Sequence, residues 1–176
     1  MLASAGILLK RGEGFFDILK SASGLVIGGY ASIEVVDKQN DLITLEALDD
    51  AVNKYMGEQK YRNVMSNHSN VQVGEVIENY RDNNGILHKT GVDDVGFYVV
   101  IKMRDDIEKA KEISRGIRKG TLRSFSIGGQ AISKKSRTSD SLGTYNEIDK
   151  LELHEVTICE KGINPEAKFD ILKQDV

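Results

Sequence analysis

Glycine is the residue that most narrows the folds open to this chain. There are 17 glycines against one proline, and two pairs of them fall in or just after runs that otherwise read as strands. Gly28-Gly29 interrupts a β-branched, aromatic and small-residue run from Leu25 to Val36, and Gly128-Gly129 follows Leu122-Arg123-Ser124-Phe125-Ser126-Ile127. Glycine within a strand marks a bulge, a tight bend or the close approach of another backbone. A sheet punctuated in this way has to curve, and a curved sheet suits a barrel better than a flat layer. With 176 residues, 40% of them hydrophobic, the chain can bury one compact core around such a sheet.

The other elements follow from local pattern. Thr44 fits an N-cap, and Leu45, Leu48, Val52, Tyr55 and Met56 recur at helical spacing until Gly57. Val64 to His68 and Val71 to Tyr80 read as strands about a tight turn. Asp82-Asn83-Asn84-Gly85 reads as a hairpin turn before a short strand from Ile86 to His88. Val95 to Met103 is apolar enough for a central strand. Asp105 to Lys119 reads as a second helix, with acids Asp105, Asp106 and Glu108 first and bases Arg115, Arg118 and Lys119 last. Ile107, Ala110, Ile113 and Ile117 form its apolar stripe, and Gly120 stops it.

Lys134 to Asn146 is polar and reads as a mobile loop between strands, a solvated hairpin end in preference to a substrate-gating or self-cleavage loop. Ile148 to Glu160 is a last long strand, and Pro165 opens a short terminal turn or helix. This order predicts an α+β fold, a small, mostly antiparallel β-barrel flanked by helices. Residues 1–22 are expected to be an N-terminal arm, a leader or an added strand, and residues 23–176 a single domain.

Charge and cysteine content exclude several function classes. Lys and Arg number 24 against 27 Asp and Glu, for a net charge of −3, so no basic field points to nucleic acid. The single cysteine, Cys159, rules out an internal disulfide framework and suits a reducing compartment. No apolar run approaches the roughly 20 residues that span a bilayer, so no membrane partner is expected. The positive charges near the N-terminus, Lys10 and Arg11, follow the apolar stretch Ala5 to Leu9, whereas a secretory signal has them in front. A soluble intracellular protein is the expectation.

Period-2 alternation places Ser124, Ser126 and Gly128 on one face of their strand and Phe125 and Ile127 on the other. A serine hydroxyl on an open strand face, followed by glycines, can meet another backbone closely. That is what a nucleophile attacking a peptide carbonyl requires. It needs a base, and the chain has three histidines, His68, His88 and His154. His68 ends a strand between Asn67 and Ser69, where a ring can be presented at a rim. His88 sits among turn residues and reads as solvated. An imidazole can take the hydroxyl proton and return it to the leaving amine, provided a third group holds its tautomer and stabilises its charged form. His154 and Glu155 are adjacent candidates for that group, and alternation alone does not choose between them. Neither HExxH nor a His or Cys pair at ligand spacing occurs, so no metal and no cofactor is expected.

Several segments in a fixed order carry a resemblance. They are Tyr30-Ala31-Ser32, Val36-Asp37 and Asn40-Asp41, then Met65-Ser66-Asn67-His68, then Ser124-Phe125-Ser126-Ile127-Gly128, then Glu155-Val156-Thr157-Ile158, and last Asn164-Pro165-Glu166-Ala167. Over roughly residues 25 to 170 the chain resembles the prohead maturation serine proteases of tailed bacteriophages and, more remotely, the herpesvirus assemblins. The resemblance implies a herpesvirus-protease-like barrel and a triad in chain order His68, Ser126, Glu155. Family pattern favours Ser126 over Ser124 as nucleophile and Glu155 over His154 as third member, although the herpesvirus relatives use a histidine there. A glycine-containing loop shapes the oxyanion site in the assemblins, which makes the backbone N–H groups of Gly162 and Ile163 the matching candidates. The chain departs from the phage pattern at Ile163-Asn164-Pro165 and at Gly129, where an aromatic is usual.

The implied activity is endopeptidase cleavage of phage scaffold protein and major capsid protein, inside the immature capsid in the host cytoplasm. Self-processing and a homo-oligomeric state stay open. The alternative reading is a non-catalytic capsid-assembly or scaffold module on the same fold. A hydrolase of small esters is a third.

Overall fold

The computed structural model describes residues 16–20, 24–34, 36, 40–58, 63–66 and 71–160. Within them the chain runs β1 (Phe16–Lys20), β2 (Val26–Ile33), β3 (Asp41–Ile43), α1 (Leu45–Glu58), β4 (Asn63–Ser66) and β5 (Gln72–Ile77). It continues with β6 (Asn79–Arg81), β7 (Leu87–Lys89), β8 (Gly91–Val92), β9 (Gly96–Met103), α2 (Glu108–Lys119), β10 (Leu122–Ser139) and β11 (Gly143–Glu160). The main sheet has the order β1-β2-β9-β5-β4-β11-β10, with β3 added to β11 and β8 to β9, while β6 and β7 form a separate ribbon. Pairing is antiparallel except where β3 and β4 run parallel to β11.

The described residues are thus mostly β with two helices, and the sheet is curled into a half-barrel. Its two end strands approach across the core. Phe16 of β1 stacks on Phe125 of β10 with ring centroids 4.6 Å apart, and the Arg123 guanidinium lies 4.0 Å from Asp17. Among the described residues no hydrogen-bonded ladder joins β1 to β10, so side chains rather than backbone bring the ends together. β1 lies within the segment read as an arm or added strand. It pairs with β2 from Phe16 opposite Gly29 onwards.

Both helices close onto this core. Ala47, Leu48, Ala51, Val52 and Tyr55 of α1 and Ala110, Ile113 and Ile117 of α2 join Ile27, Val64, Val99, Ile127, Val156 and Ile158 in one apolar cluster. Thr44 Oγ1 accepts a hydrogen bond from the Ala47 N–H at 3.0 Å, the capping interaction its sequence position suggests. Gly120 ends α2 with φ 86°, and its N–H reaches the carbonyls of Gly116 and Ile117.

Three expectations are corrected. The polar stretch 134–146 is a solvated hairpin end, as its composition suggests, but a strand-paired one rather than a mobile loop. β10 continues to Ser139 and β11 begins at Gly143, so the two form a projecting ribbon with cross-strand contacts Lys135–Asp149 (3.1 Å), Arg137–Glu147 (3.3 Å) and Thr138–Thr144 (3.1 Å). Most of its side chains face solvent, which removes the apolar alternation that marks a strand. Helix α2 starts at Glu108 rather than Asp105: Ile107 is still extended, with φ −129° and ψ 150°, and Asp106 accepts two bonds of 2.9 Å from Arg104 ahead of the helix. His88 is partly buried rather than solvated. Its Nε2 lies 2.8 Å from Asp82 Oδ2 and its Nδ1 3.2 Å from the Tyr98 hydroxyl, and this contact holds the Asp82 carboxyl below the usual carboxylate range.

Candidate active site

The site is built on the β10–β11 ladder. Ser124 stands opposite Cys159, Ser126 opposite Thr157, and Gly128 opposite Glu155. Residues directly paired across a ladder share a face, and so do residues two apart on one strand. Ser124, Ser126, Gly128, Glu155, Thr157 and Cys159 therefore line one side. Phe125, Ile127, Val156 and Ile158 enter the core on the other.

This polar side is enclosed. Ser124 and Ser126 are each 5% exposed, and Thr157 is fully buried. The two serines differ in their bonding. Ser124 donates from Oγ to the Glu160 carbonyl at 3.2 Å. Ser126 Oγ is buried and has no hydrogen-bond partner among the described residues. A buried hydroxyl normally has a partner; the buried Ser32 Oγ of β2 also lacks one among the described residues, and Ser126 differs from it in sharing its face with a carboxylate. Burial and the nearby carboxylates of Glu155 and Glu160 push the Cys159 thiol up to about 12, so it stays neutral.

Glu155 and Ser126 are diagonal neighbours across the ladder, a relation that separates residues by about 7–8 Å and lies within reach of a long side chain. Glu155 folds across the strand towards β10. A Cβ added to Gly128 would sit 2.8 Å from Glu155 Cγ, 3.1 Å from Cδ and 3.3 Å from Oε2. The space above Gly129 is taken by the Glu152 carbonyl oxygen, which a Cβ there would approach to 2.1 Å. The room left by these glycines, expected to admit a foreign backbone, is occupied by the neighbouring strand and its carboxylate.

His154 stands apart from Glu155 in register. Gly128 pairs with Glu155 and Gly129 with Leu153, so His154 is the extra residue of a β-bulge. Its Nε2 contacts Glu152 Oε1 at 2.7 Å near the surface. Sequence reading missed Thr157 and Cys159 as members of the polar face. The signal was present: apolar residues fall at Leu151 and Leu153, then at Val156 and Ile158, a change of phase that a one-residue bulge explains.

His68, Gly162 and Ile163 lie outside the described residues, as do the terminal turn at Pro165 and the arm before Phe16. Strand β4 ends at Ser66, two residues before His68 in the chain. It runs parallel beside β11 with Met65 opposite Thr157, in the same cross-strand row as Ser126. Among the described residues no group of three or more His, Cys, Asp or Glu side chains is placed to hold a metal ion, and no helix is long and apolar enough to cross a membrane.

A curled β-sheet that sets a buried, unpartnered serine hydroxyl diagonally across from a carboxylate has the makings of a serine hydrolase. The chain belongs to the Caudovirus prohead serine protease family, whose sequence model matches residues 17–176. It is a serine peptidase of bacteriophage capsid maturation, and its family acts inside the procapsid. No curated protein and no solved structure matches the chain.

Proposed function

We propose that the protein is an endopeptidase that cleaves scaffold protein and major capsid protein within the prohead, through Ser126 as nucleophile, His68 as base and Glu155 as third member. Ser126 Oγ attacks the scissile carbonyl carbon as His68 takes its proton, and the same proton passes to the leaving amine when the C–N bond breaks. Water, activated by His68, then hydrolyses the acyl-enzyme. Glu155 orients the imidazole and stabilises its charged form. Backbone N–H groups of Gly162 and Ile163, just beyond the end of β11, would hold the oxyanion. The reading extends to an assemblin-like barrel and to self-processing.

One observation carries this reading most directly. The buried Ser126 hydroxyl has no partner among the described residues and shares its face with Glu155. Ser124, the reserve nucleophile, already donates to Glu160. His154, the alternative third member, is turned to Glu152.

The test is co-expression with scaffold and coat protein. Ser126→Ala abolishes their cleavage, Ser124→Ala does not, and a serine-directed covalent inhibitor labels Ser126. Wild-type cleavage by Ser126→Ala overturns the assignment, and absence of labelling under assembly conditions favours a non-catalytic module. Cleavage also falls on acidification through the histidine range near pH 6.5, as a histidine base requires.

A further inference from the structure

We infer that Gly128 is a positioning residue for the peptidase reaction: its missing side chain is the seat that holds the Glu155 carboxylate beside Ser126. The inference rests on Glu155 being the third member of the triad. All three atoms nearest to a Cβ at Gly128 belong to Glu155, namely Cγ at 2.8 Å, Cδ at 3.1 Å and Oε2 at 3.3 Å. Real Cβ atoms do not approach a carbon to 2.8 Å, so any larger residue displaces this one side chain. The carboxylate lies over the strand because β10 has nothing there to exclude it.

The surrounding backbone supports the same role. The bulge at His154 resets the phase of β11 between Leu153 and Glu155, so that Glu155 reaches the polar face while Leu151 and Leu153 stay in the core. Bulges next to active sites commonly re-aim a side chain in this way. The bulge sets the direction of Glu155, and Gly128 supplies the space it leans into. Glu155 then sits two ladder positions from Ser126 on the same face, its diagonal neighbour.

The experiment is a double-mutant cycle on cleavage of a peptide substrate by the full chain. Glu155→Gln lowers kcat/KM by on the order of 10⁴-fold, as loss of a triad carboxylate does. Gly128→Ala lowers it by on the order of 10²-fold, as a displacement of about 1 Å in a catalytic constellation does. Gly128→Ala/Glu155→Gln is no slower than Glu155→Gln alone, because Gly128 acts only through Glu155. Both single variants shift the acidic limb of the pH profile to lower pH, since a protonated imidazole without its anionic neighbour loses its proton more readily.

A 10²-fold loss from Gly128→Ala on top of Glu155→Gln, or full activity in Gly128→Ala, overturns the inference and leaves the triad standing. Full activity in Glu155→Gln overturns the triad reading itself. Should Gly128→Ala fold poorly, thermal stability decides. Glu155→Ala in that background restores the Tm if the clash is with Glu155, and leaves it low if the added methyl meets anything else.

Discussion

Two serines on one strand, two residues apart and equally buried, respond to the same substitution with opposite signs. Ser126 Oγ is enclosed without a hydrogen bond among the described residues, whereas Ser124 Oγ donates to the Glu160 carbonyl at 3.2 Å. An unsatisfied buried polar group costs about 1–3 kcal/mol, and Ser126→Ala removes it while leaving Cβ in place. A chain of this size gains roughly 2–4 °C in Tm per kcal/mol, so Ser126→Ala should raise Tm by about 2–12 °C. Ser124→Ala loses a formed bond worth about 0.5–1.5 kcal/mol and should lower Tm by about 1–6 °C. Activity separates them again: Ser126→Ala falls by on the order of 10⁶-fold, the loss expected for a serine nucleophile, and Ser124→Ala stays within an order of magnitude. The assay is calorimetric melting with urea titration as a cross-check, on samples shown intact by mass spectrometry. A shift in midpoint at constant slope reads as a change in stability. A Tm that drops in Ser126→Ala as it does in Ser124→Ala would refute the claim that the hydroxyl is held at a cost to the fold.

Other outcomes test the frame of the site. Phe125→Ala removes one half of the Phe16 stack that joins the ends of the sheet, and should destabilise by about 3–5 kcal/mol in urea unfolding. Gly120→Ala forces a Cβ into φ 86° at the end of α2 with no steric clash around it, so it should cost about 1–2 kcal/mol from backbone strain alone. Cys159, with its thiol pushed from an ordinary 9.0 up to about 12, should resist iodoacetamide in the native protein at pH 8 and react on unfolding. For the same reason stability is retained below pH 9 and declines as pH rises from about 9 to 12, because the unfolded thiol ionises first; a flat alkaline stability profile would count against the burial of that group.

Much of the fold could be read from local chemistry. Thr44 caps α1, Gly120 ends α2, and Asp82 Oδ1 accepts from the Asn84 and Ile86 N–H groups in the hairpin turn, all interactions within a few residues. What escaped was non-local. Nothing in Lys134–Ser139 announces how far the strand runs, because its ladder with Gly143–Ile148 is held by backbone pairing and solvated ion pairs rather than by burial of its own side chains. The pairing of β4 with β11 is parallel and bridges some 90 residues of chain, so no turn signal points to it.

The site divides along the same line. The common face of Ser124, Ser126 and Gly128 follows from strand alternation and needs no partner. The place of Glu155 does not, because it depends on a register that changes by one residue at His154. Under strict alternation Glu155 would share a face with Leu151 and Leu153, inside the core, and His154 would face outward in its stead. A charged side chain among those leucines would carry a desolvation penalty that nothing nearby offsets. The bulge removes that conflict by keeping Leu151, Leu153, Val156 and Ile158 all inside while turning the carboxylate out. Under the proposed triad, the preference for Glu155 over His154 rests on which of two adjacent residues the bulge leaves in register with β10. Only Glu155 pairs with a residue on the serine face, and that residue is the glycine that leaves it room.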